Sequence, residues 1–191
     1  MKLFQNDFCY IILITKQMKN LNKLGVILFL ATASIFTSCS SDDNGGGSST
    51  ASLGTITATV DGASFTTITQ GTNASIANNG TYQNLAITGS TITGKTIILS
   101  ILGQNIGVGT YPIVDEDTDF IATAVYSSID LANPTAAQTW SAPYTDMGTT
   151  SSISITSISA TNVQGTFHFV GLGDNDQTKE ITNGSFNVNI N

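Results

Sequence analysis

The chain has 191 residues, 13 Asp and Glu against 6 Lys, no Arg, one His and two Cys. From Cys39 onward the balance is steeper, with 12 acids against Lys95 and Lys179 and a net charge of −10. So few cations cannot neutralise a phosphate backbone, which excludes nucleic-acid binding and argues equally against an anionic-lipid patch or an Arg-clamped phosphate site.

Residues 18–38 read as a secretory signal: lysines at 19 and 23, the apolar run Leu24 to Ala31, then Phe36-Thr37-Ser38 before Cys39. An apolar stretch of about a dozen residues is too short to span ~30 Å of hydrocarbon. Met18 is the expected start, and residues 1–17 are expected to be an upstream extension. Cys39 then stands as the one cysteine, so no disulfide framework is available. The step Thr37-Ser38-Cys39 resembles the lipobox of bacterial lipoproteins, in which the Cys carries a diacylglycerol. Acyl chains bury ~0.8 kcal/mol per CH₂, so the resemblance implies an outer-membrane lipid anchor at Cys39. An ordinary secreted protein with an incidental Cys is the alternative. Residues 39–52 are rich in Gly and Ser and read as a flexible tether. Asp42-Asp43 resemble the surface-export signal of Bacteroidetes lipoproteins, which would place the domain on the cell exterior. A solvated linker that begins with acids reads the same way.

Residues 53–191 form the expected domain, long enough to bury one core. Short β-rich runs recur between Gly, Asn and Asp, with no sustained 3.6-residue period. Thr55–Val60 alternates, Asp61-Gly62 marks a hairpin turn, and Ala63 to Thr69 returns. Asn78-Asn79-Gly80 turns into Thr81 to Thr88. Thr96 to Leu102 is apolar on both faces and reads as a central strand. Phe120 to Ser128 and Ser151 to Ser159 follow, and Leu131 to Met147 reads as irregular. In the final hairpin, Phe167 and Phe169 share a face with His168 opposite. Ile181 and the set Phe186, Val188, Ile190 differ in parity, which requires a bulge at Asn183-Gly184, with a positive φ expected at Gly184. About 8–10 antiparallel strands imply an all-β fold, a sandwich by preference or a barrel.

Val60-Asp61-Gly62-Ala63-Ser64-Phe65, Gly109-Thr110-Tyr111, Ile153-Ser154-Ile155-Thr156, Gly165-Thr166-Phe167-His168-Phe169 and Ile181-Thr182-Asn183-Gly184-Ser185-Phe186 occur in that order. The series resembles a family of small uncharacterised Bacteroidetes surface lipoproteins of flavobacterial type. The resemblance implies fold and address and transfers no catalytic residue.

Chemistry is sparse. His168 is the one imidazole, no G-x-S-x-G elbow is present, and one His with no free Cys leaves no zinc donor set. The expectation is therefore a non-enzymatic module. Asp115, Asp117 and Asp119 alternate in a way that can wrap oxygens around Ca²⁺, yet Phe120 and Tyr126 stand where an EF-hand needs Gly and Glu. Solvated loops are the plain reading of these acids and of Asp174-Asn175-Asp176. Trp140 and Tyr144, with Tyr126, could form a sugar-stacking platform on a loop, or Trp140 could plug the core. The open functions are a glycan-binding accessory, a Ca²⁺-stabilised adhesin, a structural or protein-binding module, and, least favoured, a carboxylate hydrolase.

Overall fold

The structure, a computed structural model, describes residues 50–115, 119–144 and 150–191. The signal, Cys39, Asp42-Asp43 and Asp117 lie outside the described residues. Among the described residues, eleven strands run in chain order: β1 (Thr55–Val60), β2 (Ala63–Thr66), β3 (Thr72–Asn79), β4 (Tyr82–Ser90), β5 (Lys95–Gly103), β6 (Gly109–Pro112), β7 (Phe120–Asp130), β8 (Asn133–Ala142), β9 (Ser152–Ile158), β10 (Asn162–Gly173) and β11 (Thr178–Asn189). They pair antiparallel in the order β2-β1-β11-β10-β8-β7-β5-β4-β3, with β9 and then β6 branching from β10.

The all-β reading holds, but the arrangement is the barrel-like one. A single sheet curls on itself into a half-barrel instead of splitting into two stacked layers. Right-handed strand twist accumulates over so many strands and bends the sheet round its own apolar face. The curl brings the far edge back: Ala74 of β3 bridges Ile190, and the Asn191 N–H donates to the Ala74 carbonyl at 3.0 Å.

Alternation sets the inner face. Ile56, Leu85, Ile87, Ile97, Leu99, Ile101, Ile153, Ile155 and Val163 all point inward and are buried. The apolar second face of β5 is not covered by another layer; Ile98 and Leu102 remain 38% and 37% exposed. β5 is thus central within the sheet and still one-sided. The folded part also begins earlier than the tether boundary implied. Ala51 is buried, its N–H donating to the Ser185 hydroxyl at 2.8 Å.

Three of the sequence motifs acquire physical reasons here. Asp61 and Gly62 both take positive φ, 45° and 80°, the primed turn whose twist matches a two-residue hairpin. The Tyr111 hydroxyl of β6 donates to the Gly107 carbonyl at 2.9 Å while its ring meets Phe120 edge-on. In the β10–β11 hairpin, Gly165 faces Phe186 and Phe167 faces Gly184. Each ring lies over the glycine opposite, and the two rings stack with centroids 6.3 Å apart. A Cβ on Gly165 would strike the Ser154 carbonyl and the Phe186 ring, and one on Gly184 would strike the Phe167 carbonyl and ring. The repeated G-x-F is therefore a pair of reciprocal close approaches.

The bulge is present. Phe167 pairs with Gly184 and Phe169 with Ile181, and β1 shows the matching shift between Thr57 and Thr59. The positive φ falls on Asn183, at 51°, not on Gly184. Asn tolerates that region, which leaves the glycine free to serve the contact with Phe167.

Candidate functional site

One end of the curl gathers polar groups from four distant segments. The Asp61 turn is tied to β11 by three bonds. Its N–H donates to the Glu180 carbonyl at 2.9 Å, one carboxylate oxygen accepts the Glu180 N–H at 2.9 Å, and the other accepts from Lys179 Nζ at 2.6 Å. The Lys179 bond, then the Glu180 N–H, holds the Asp61 carboxyl below its ordinary value of 3.8.

Lys179 stands opposite Gly171 on β10, and its ammonium lies 5.4 Å from the Trp140 ring centroid, within cation–π range. Trp140 is seated by glycines. A Cβ at Gly171 or Gly173 would come within 2.9 or 2.7 Å of Trp140 atoms. The indole faces Tyr126 across β7–β8, centroids 5.5 Å apart, and Phe65 of β2 meets Tyr126 edge-on across the interior at 6.4 Å. Burial, partly offset by the Lys179 charge and a bond with Ser128, pushes the Tyr126 phenol up, so it is a neutral hydroxyl at physiological pH.

Of these groups, Asp61, Phe65, Tyr126 and Lys179 line a recess of about 210 Å³. Val60, Ala63 and Phe65 supply apolar wall, Ser64 and Tyr126 hydroxyls, and Asp61, Lys95 and Lys179 the charges. Lys95 enters at the start of β5, in register with Ser128 of β7. Both lysines that follow Cys39 in the sequence thus line one recess. A second, polar cleft of about 350 Å³ lies between Ala136 to Trp140 of β8 and the turn holding Asp174 and Gln177.

Trp140 belongs to a strand, correcting the reading of Leu131 to Met147 as irregular. Only 5% of it is exposed, so it fills the end of the core and offers no open stacking face. Tyr144 lies just past β8 and is half-buried; among the described residues no ring contact joins it to Trp140. Asp115 and Asp119 are exposed in the β6–β7 connection, with Asp117 outside the described residues. Among the described residues no three His, Cys, Asp or Glu side chains converge on a metal position. His168 points outward, paired in register with Ser152. Asp61, Lys95 and Lys179 carry no local signal of a shared site, since 84 residues separate the two lysines. Asp61 reads in the sequence as a turn former only, and Lys179 as a neighbour of Asp174 to Asp176, whereas it pairs with Asp61.

The profile of a family described as a domain of unknown function (DUF6252) matches residues 53–188. No curated protein and no solved structure matches the chain.

Proposed function

The chain belongs to the DUF6252 family, and from that premise we propose that it is a lipid-anchored, outward-facing, non-enzymatic binding module of the outer membrane. The recess at the open end of the sheet carries the binding reading. It combines apolar wall, hydroxyls and both lysines on a rigid strand framework, the composition of a recognition site. Its one carboxylate, Asp61, has both oxygens committed to donors and is held below its ordinary value. Such a group is a poor proton acceptor at neutral pH, which favours binding over acid–base chemistry. The anchor reading rests on Thr37-Ser38-Cys39, and the outward orientation on Asp42-Asp43 and on a motif order that resembles that of Bacteroidetes surface lipoproteins. A glycan or a protein is the partner class that such display suits.

Mass spectrometry of the membrane-extracted protein tests the anchor, with Cys39 expected as a diacylated first residue. Protease treatment of intact cells tests orientation. Replacing Asp42 and Asp43 by Ala is expected to protect the domain without releasing it from the membrane. A glycan array and pull-down with the detergent-solubilised full chain tests binding. Failure to retain any partner above a recess-blocked Ser64→Trp control would refute the binding reading.

A further inference from the structure

We propose that the recess between the β1–β2 turn and the start of β5 binds a carboxylate, carried by an acidic sugar or by an acidic amino-acid residue. The inference deepens the binding-module reading and rests on it.

From Cys39 onward the protein carries −10, so its overall field repels anions from nearly every face. The two cations of that span both open into this one recess. Lys179 is neutralised there by Asp61, whose oxygen lies 2.6 Å from the ammonium. Lys95 has no ion-pair partner among the described residues, where Lys179–Asp61 is the one salt bridge. The recess therefore holds a net charge of +1. A single carboxylate balances it. A phosphate dianion would bring one negative charge too many into an acidic protein, and a neutral sugar would leave the Lys95 ammonium unmatched.

Size and lining agree with a small acidic group. About 210 Å³ is less than the roughly 300–1,000 Å³ of pockets that enclose drug-sized molecules, so the recess takes one sugar ring or one side chain. Val60, Phe65 and Tyr126 are buried and form the floor of the recess, while the exposed Ser64 offers a hydroxyl at its wall. The ion pair with Asp61 holds Lys179, and ring contacts with Trp140 and Phe65 hold Tyr126, before a ligand arrives, so little ordering is lost on binding.

Isothermal titration of the detergent-solubilised full chain tests the proposal with four probes: glucuronate, a glutamyl peptide with blocked termini, glucose and inorganic phosphate. Glucuronate or the peptide is expected to bind, more weakly as salt rises, and the tighter of the two identifies the source of the carboxylate. Lys95→Met should weaken that probe about tenfold or more, the loss of one charge-assisted contact, with Lys95→Arg retaining most of it. Unfolding midpoints of both variants should match the parent. Glucose or phosphate binding as tightly as the carboxylates, or Lys95→Met leaving affinity unchanged, would overturn the carboxylate while the binding module stands. Absence of heat with all four probes overturns it as well, and the array experiment then judges the module separately.

Discussion

Gly184→Ala is the most telling single substitution, because two physical accounts of the site predict opposite signs. Replacing a glycine whose conformation suits other residues normally stabilises by about 0.4–1 kcal/mol, through the unfolded chain. Gly184 has φ outside the left-handed region, so conformation alone would favour alanine. Space does not. The new methyl would sit 2.6 Å from two ring carbons of Phe167 and closer still to its carbonyl oxygen. β11 cannot back away, since it is paired with β1 on one side and β10 on the other. Overpacking of this kind costs about 1–3 kcal/mol, leaving a net loss of up to about 2.5 kcal/mol. With a urea slope of about 2 kcal/mol/M, the unfolding midpoint should fall, by up to about 1.2 M. Asn183→Gly, at the exposed positive-φ residue next door, should shift stability by less than about 0.5 kcal/mol. A stabilised Gly184→Ala beside a costly Asn183→Gly would refute the close-approach account and put the strain of the bulge at the wrong residue.

Other consequences are equally direct. Phe167→Ala should cost about 3–5 kcal/mol in the same assay, whereas His168→Ala, one position away and facing solvent, should change stability by less than about 0.5 kcal/mol. The depressed Asp61 carboxyl contributes stability that is complete above its ordinary value of 3.8 and is lost as pH falls through its lower folded value. Because the side chains are 33% and 42% exposed, Asp61→Asn should remove at most about 1 kcal/mol at neutral pH, and acid titration of its unfolding should be correspondingly flatter below pH 3.8. Millimolar Ca²⁺ is expected to move the thermal midpoint no further than Mg²⁺ at equal ionic strength; a larger shift, abolished by Asp117→Ala, would establish a Ca²⁺ site in the Asp115 to Asp119 loop.

Legibility of the fold followed burial. β1, β5 and β10 bury every second residue, so their periodicity stands out in the letters, and in β11 the parity break between Ile181 and Phe186 announces the bulge. β8 is exposed from Asn133 to Thr139, which erases the apolar alternation and makes a strand look like a loop. In β3 only Ala74 is fully buried, again too little pattern to read. Half-barrel and sandwich share the same alternation, and what separates them is the order of pairing, which no short window contains. The recess was hidden for the same reason. Lys95, Lys179 and Asp61 lie at the ends of strands, and only the curl of the sheet makes them neighbours. Trp140 misled because aromatic residues in polar segments suggest loops, while here two glycines on β10 make room for it in the core.

The placement of β11 bears on how the domain comes into being. β1 hydrogen-bonds β11, with Thr55 opposite Asn187, so the earliest strand of the domain must wait for the last before its second edge is filled. Until then its hairpin with β2 is a two-stranded ribbon, marginal in water, exposing Ile56 and Phe65. Pairings that span nearly the whole domain carry a large loop-closure entropy, which places folding in the slow regime of milliseconds to seconds. The pairings of β3 with β4, β4 with β5, β5 with β7 and β7 with β8 join near neighbours in sequence and can form as the chain emerges, whereas β1 and β2 stay unfinished. The open edge of β1 has to be kept from edge-to-edge association until Asn187 is available, and β11 then closes the sheet by docking between β1 and β10.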